Sequence, residues 1–196
     1  MSVLNGDIFR ENYSYLSTKG RRAIFLLWKK LKSFGTLPPD MMIQFYNTLI
    51  KPVLLYGSEI WGLSKGGTAR IDRICLWFIR CILKIKRSSC NIMTFGEIGI
   101  VPPSVLAHIN VINYYIRMVN TKGPTNKFAT NIFNELSHLD SLGFSNWITK
   151  AKNLAKQYFI DLDDPNTLEL NKYQVKKAVL SIYNEKWLNQ INDPDL

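Results

Sequence analysis

Few side chains in this 196-residue chain are of types that make or break bonds, and their spacing says more than their number. Two-metal phosphoryl chemistry needs carboxylates that converge on a cation pair. Residues 1–100 hold Asp7, Glu11, Asp40, Glu59, Asp72 and Glu97, scattered, with none in a strand–turn–strand context. One acidic cluster exists, Asp161-Leu-Asp-Asp164. It starts like a calcium loop, but Pro165 replaces the third ligand, Asn166 the required glycine and Lys172 the closing glutamate, so it reads as a solvated turn. His108 and His138, taken with Cys75, Cys81 and Cys90, make no zinc spacing. His108 sits in an apolar helical pattern and is expected to be packed or hydrogen-bonded. Cys75 falls on a buried stripe, where an inert thiol is the default. Cys81 and Cys90 have no histidine nearby in the sequence. There is no glycine-rich phosphate loop and no nucleophile elbow. No catalytic residue, metal site, cofactor or small-molecule substrate is assigned from these residues.

Charge is the stronger signal. The chain carries a net charge of +10, with a pI near 9.5. Residues 1–100 have 15 Lys and Arg against 6 Asp and Glu, a net of +9, which leaves +1 for residues 101–196. A uniform solubilising charge would not segregate in this way. The asymmetry points to an anionic partner for the first half, with an idle basic surface as the plain alternative. An odd count of three cysteines without a Cys-x-x-Cys pair implies no disulfide scaffold and a reducing, intracellular compartment. Residues 1–20 lack the apolar core of a secretory signal. Ala23–Trp28 is apolar but far short of the ~20 residues that span a bilayer, so no membrane segment is expected.

The elements that would carry this charge read as helices. Ala23, Ile24, Leu27, Leu31 and Phe34 recur at threes and fours, predicting a helix from a Thr18 cap to about Phe34, stopped by Gly35. Pro38-Pro39-Asp40 reads as a turn and N-cap for a helix from Met41 to about Ile50, with Pro52 ending or kinking it. Val53–Gly62 is ambiguous between a kinked helix and a short extended run. Ser64-Lys-Gly-Gly67 reads as a loop. Thr68 to about Ile85 reads as a helix with Ile71, Ile74, Cys75, Phe78, Ile82 and Ile85 buried. Lys84–Cys90 is a basic exit loop and Gly96–Pro103 a turn-rich connector. A Ser104-capped helix runs to about Val119 and breaks at Lys122-Gly-Pro-Thr125. Further helices are expected near 126–138, 145–159 and 172–191. The fold class is all-α, a multi-helix bundle divided into residues 1–120 and a helical extension, 121–196.

A helical residue advances ~100°. Arg22, Lys29 and Lys32 therefore fall opposite Ile24, Leu27 and Leu31, with Phe25 and Leu26 at the flanks. On the later helix Arg73, Arg80 and Arg87 recur every seven residues, with Lys84 beside them and Trp77 on the same side. Cations mixed with an aromatic ring suit a nucleic-acid strand: Lys and Arg neutralise phosphates, and rings stack on bases or sugars. The plain alternative is charge on the outer face of amphipathic helices, with Trp77 packed against a neighbouring helix.

One stretch is too particular for a generic helix: Ile50-Lys-Pro-Val-Leu-Leu-Tyr-Gly-Ser-Glu-Ile-Trp-Gly62. It resembles a segment found just after the polymerase palm of LINE-type (non-LTR) retrotransposon reverse transcriptases. Lys19-Gly-Arg-Arg-Ala-Ile-Phe25, Phe78-Ile-Arg-Cys-Ile-Leu-Lys84, Phe95-Gly-Glu-Ile-Gly99 with Pro102-Pro103, and Ile112–Arg117 are similar to the segments around it. Together they cover about Lys19 to Arg117, with weaker similarity near Tyr183–Leu188. The resemblance implies a thumb and post-thumb region whose parent is an RNA-directed DNA polymerase. The matched stretch lies downstream of the palm, so no catalysis is expected from it unless a palm acts with it in cis or in trans. It implies a thumb-like grip on RNA or an RNA–DNA duplex without sequence preference, with Arg22, Lys29, Arg73 and Arg80 foremost in phosphate contact. Tyr56, Gly57, Glu59 and Trp61 of the motif are expected to be structural. Tyr56 and Trp61 would be core anchors whose polar tips find partners, Gly57 a kink or close approach, and Glu59 the partner of a nearby cation. Two rival readings stand beside this one. One is a helical protein-interaction module from a decayed retroelement reading frame, with no nucleic-acid role. The other is a membrane-surface protein, which the buried stripes disfavour.

Overall fold

The computed structural model describes residues 9–32, 35, 37–121 and 127–192. Among these residues the chain is helical and has no strand, the all-α class that the periodicity predicts. It forms two compact units, Met1–Ala107 and His108–Leu196. The division falls inside one continuous helix, α7 (Pro103–Asn120), ahead of the 120/121 boundary read from the sequence. The Lys122–Thr125 break that suggested that boundary lies outside the described residues. Gly and Pro mark where a helix stops, whereas a unit ends where packing partners change, and these need not coincide.

In the first unit, α1 (Arg10–Leu31) begins about two turns before the expected Thr18 cap. Tyr13, Leu16, Ser17 and Gly20 extend its buried stripe toward the N-terminus. The Ser17 and Thr18 hydroxyls donate to the carbonyls of Tyr13 and Ser14, four residues back. A hydroxyl can satisfy itself this way in mid-helix, so it is an ambiguous cap signal. Phe34, expected at the far end of this helix, lies outside the described residues. Next comes α2 (Pro39–Phe45), capped by Pro38, so Asp40 lies within the first turn and is not the cap. A π-helical turn, Tyr46–Ile50, leads directly into α3 (Lys51–Leu54). Pro52 has no N–H, and the π turn interrupts the α ladder just before it, so the chain bends without ending.

The ambiguous stretch is a broken helix. Gly57, at φ +67, turns the backbone between α3 and α4 (Ser58–Trp61). The expected loop at 64–67 is instead the start of α5 (Lys65–Leu83), where Ser64 Oγ accepts the Gly67 N–H at 3.1 Å. The expected connector at 96–103 is partly α6 (Asn91–Ile98), because Phe95 finds a buried site against α5 and outweighs Gly96. At the start of α7 the Ser104 N–H donates to Asp72 Oδ1 at 2.8 Å, so the end is capped from α5 and not by the Ser104 hydroxyl. Burial holds the Asp72 carboxyl above its ordinary range, against the lowering effect of the Ser104 hydroxyl and then of its N–H.

α1 packs along α5 and against α3. Ile24, Tyr46, Ile50, Leu54, Trp61, Ile71 and Phe78 are wholly excluded from water between these helices. The approach of α1 to α3 requires Gly20, where a Cβ would collide with the Leu54 side chain. Cys75 belongs to this core, and burial pushes its thiol up to about 12, so it is the inert thiol that its position implies.

In the second unit, α8 (Lys127–Ser141), α9 (Trp147–Lys156), the short α10 (Pro165–Leu168) and α11 (Lys172–Ile191) follow α7. Asn146 with Thr149, and Asn171 with Gln174, form reciprocal caps on α9 and α11. His108 Nδ1 lies 2.7 Å from the Tyr158 hydroxyl, the hydrogen-bonded core histidine expected from its apolar surroundings. The acidic cluster is occupied within the unit. Asp161 Oδ1 accepts the Asp163 N–H, Asp163 pairs with Lys152 at 2.8 Å, and Asp164 caps α10.

Candidate nucleic-acid interface

Where α1 and α5 pack side by side, their outer flanks do not meet. The seam opens into a cleft of about 1370 Å³ whose third wall is the loop after α5 and the start of α6. Arg70, Arg73, Trp77 and Arg80 recur at threes and fours along one face of α5, turned away from Ile71 and Phe78, and Lys84 follows at its C-cap. Arg21 and Phe25 face them from α1, and Arg87 closes the far end from the loop. Among the described residues, six cationic side chains and no carboxylate therefore line one cavity. Arg21, Arg73, Lys84 and Arg87 make no ion pair with a carboxylate among the described residues.

The structure brings together five of the predicted contact residues: Arg73, Trp77, Arg80, Lys84 and Arg87. It leaves Arg22, Lys29 and Lys32 out of the cleft, exposed on α1 and at its C-cap. Those three lie opposite the core, whereas the cleft forms at the flank of the helix, where two elements converge. Arg21, about 100° around the helix from Arg22, is the α1 cation that reaches it. Arg21 and Arg70 are the residues missed by the sequence reading. Their signal was available in the i+4 step from Arg21 to Phe25 and the seven-residue step from Arg70 to Trp77, but only once the seam between the helices is located.

Each cation has its own circumstances. Arg70 donates to Ser14 Oγ at 2.9 Å, which ties α5 to α1. Arg80 Nη2 donates to the Ser89 carbonyl at 2.6 Å and to Asn91 Oδ1 at 2.7 Å, while its Nε is buried without a partner. Arg80 thus folds the 84–90 loop back over the cleft and is mainly a positioning residue. Lys84 ends α5 in the left-handed region, φ +55 and ψ +33, and the N–H groups of Lys84 and Ile85 both reach the Arg80 carbonyl. Glycine is the residue that usually occupies this position. A lysine here accepts backbone strain and places an ammonium at the cleft mouth.

The rings form a series leading from solvent to the core. Phe25 is 58% exposed and lies 5.4 Å from Trp77, centroid to centroid, at an interplanar angle of 55°. Trp77 meets Trp28 edge-on at 5.0 Å. Trp28 stacks over Phe78 at 6.3 Å, and Phe78 over Tyr46 at 5.2 Å. Pairs of this kind contribute roughly 0.5–1.5 kcal/mol each beyond area burial. Trp77 therefore packs on α1, as the plain reading expected, and also lines the cleft.

The motif around Gly57 lies elsewhere in the unit and acts on the fold. Trp61 is fully buried, and its Nε1–H donates to the Tyr56 carbonyl at 2.9 Å, so it is the expected anchor. Tyr56 is not: its ring is 75% exposed, and its contribution to the anchor is its main-chain oxygen. The left-handed Gly57 turns Tyr56 outward as it brings that carbonyl over the indole. Among the described residues Glu59 makes no ion pair, against the expected cation partner. No group of three or more His, Cys, Asp or Glu among the described residues is placed to hold a metal ion. No single described helix is long and apolar enough to cross a membrane. Comparison with protein-family models, curated proteins and solved structures finds no match for this chain.

Proposed function

We propose that the α1–α5 cleft binds the sugar–phosphate backbone of nucleic acid without sequence preference. On this reading the chain is the thumb-like, non-catalytic part of an RNA-directed DNA polymerase of the LINE-type retrotransposon class. The observation that carries the reading is the concentration of six cations in one cleft with no carboxylate among the described residues that line it. Charge of one sign gathered in a concave site focuses the field on an anionic ligand. The strained Lys84 supports it, because the stable choice at that backbone position carries no charge. Backbone contacts of this type position a strand and carry no base information. RNA and RNA–DNA duplex are the partners that the family resemblance suggests, with a polymerase palm in cis or in trans supplying the chemistry.

The test is a fluorescence-anisotropy titration of the whole chain with labelled oligonucleotides at rising salt. Log affinity should fall linearly with log salt, and charge-neutralising changes at Arg73 and Arg87 should each lower the slope by roughly 0.7–0.9. An affinity indifferent to salt removes the proposal. Nucleotide incorporation by the chain alone in a primer-extension assay would overturn its non-catalytic assignment. A second reading, a helical protein-interaction module, draws on Phe128, Ile132 and Leu139, exposed on one side of α8.

A further inference from the structure

The cleft holds more than charge. A surface that only tracked phosphates would gain nothing from Phe25, whose ring stands 58% exposed among arginines. Its neighbours in the ring series meet it at 55° and 86°, so neither Trp77 nor Trp28 lies face-to-face on it. Trp77 is in turn packed against Trp28 at 5.0 Å, so the ring behind Phe25 is itself backed by a second ring. Each ring of the cleft lies one helical turn from a guanidinium: Arg21 precedes Phe25 by four residues, and Arg73 precedes Trp77 by four. A turn rises about 5.4 Å, comparable with the step between neighbouring groups of a nucleic-acid strand. Each wall therefore sets a ring about one turn from a cation, so a phosphate held by the cation leaves its neighbouring base within reach of the ring.

A duplex cannot use the rings. Its bases are stacked on one another and present only edges in the grooves. An unpaired strand has free base faces, and stacking on an aromatic side chain is the sequence-tolerant way to hold them.

We propose that the cleft selects single-stranded nucleic acid over duplex. An unpaired base stacks on Phe25, backed by Trp77, while Arg21, Arg73 and Lys84 hold the flanking phosphates. This rests on the reading of the cleft as a nucleic-acid site; of the partners named there it keeps unpaired RNA and sets the RNA–DNA duplex aside.

The experiment compares labelled 12-mers of oligo-dT and oligo-U with a blunt duplex of the same length, using the whole chain in one buffer. Single strands should bind at least about tenfold tighter than the duplex and quench tryptophan emission. Phe25→Ala should lower single-strand affinity by about tenfold, in line with the usual cost of losing one stacked base. The single-strand to duplex ratio should collapse toward one, and Phe25→Trp should restore it. Phe25→Leu, which keeps apolar bulk without a ring face, should behave as the alanine variant does and guards against a folding defect. Equal or tighter duplex binding in the wild type overturns the inference and leaves backbone binding standing. So does a ratio unchanged in both the alanine and leucine variants. Absence of binding to any of the three probes overturns both readings.

Discussion

Replacing Lys84 with glycine separates what the fold wants from what the cleft wants. Lys84 sits at φ +55, ψ +33 at the end of α5, with its backbone N–H on the Arg80 carbonyl. An L-residue in this left-handed region costs roughly 1–2 kcal/mol. Glycine avoids that cost but returns roughly 0.4–1 kcal/mol through its looser unfolded chain. The side chain is exposed and no ion pair is lost, so nothing else enters the balance. Lys84→Gly should therefore stabilise the protein by about 1 kcal/mol, read as a higher urea midpoint at unchanged denaturant slope. Binding should move the other way. One phosphate contact on a single strand accounts for a salt-dependence slope of about 0.7, which between 1 M and 0.15 M salt is about fourfold in affinity. Lys84→Arg, which keeps both the charge and the strain, should change neither quantity. A glycine variant that is less stable, or that binds with undiminished affinity and slope, refutes the argument. The first result would show that the lysine stem contributes packing not visible in the structure. The second would show that its ammonium meets no phosphate.

Trp61→Ala should cost about 3–5 kcal/mol, as for other fully buried large rings, whereas Tyr56→Ala, removing an exposed ring and keeping the carbonyl, should stay within about 0.5 kcal/mol; thermal melts of the two variants check this, and equal losses would contradict the assignment of roles. Burial lowers His108 to about 4 from its usual 6.5. Below pH 6.5 the unfolded chain takes up a proton that the folded unit refuses, so stability present above that pH is lost as pH falls through 4, by about 3 kcal/mol in all. Unfolding midpoints from pH 8 to 4 should show this loss in the wild type and lack it in His108→Gln; parallel curves would exclude it. Phe159, 84% exposed with φ +54, pays the left-handed cost without gaining burial. Phe159→Gly should raise the melting temperature, by an amount worth roughly 0.5–1 kcal/mol, and a fall would mean that the ring is packed.

Helix class and core membership were legible in the order of residues, because apolar spacing of three and four is a property of the chain itself. Ile24, Ile71, Ile74, Cys75 and Phe78 are buried as their periodicity predicts, whereas Ile82 is half-buried and Ile85 exposed, because α5 ends at Leu83 and the stripe does not continue past it. The basic face of α5 was legible for the same reason: Arg73, Trp77, Arg80 and Lys84 share a side on any regular helix. Helix ends were less so. Thr18 and Ser104 carry cap-type side chains, yet Ser104 is capped by Asp72 from another helix and Thr18 bonds within its own. A hydroxyl does not announce which backbone group it will meet. Asp72 and Ser104 lie far apart along the chain.

The cleft belongs to the packing. Its α1 wall is Arg21 and Phe25, not Arg22, Lys29 and Lys32, because the rotation of α1 about its axis is set by how Ile24 and Gly20 seat against α5 and α3. Helical periodicity says which residues share a face of one helix, and it carries no information on which flank a second helix will approach. The same limit explains Tyr56 and Trp61. Five residues apart in one motif, they end on opposite sides of the protein boundary because a single left-handed glycine stands between them.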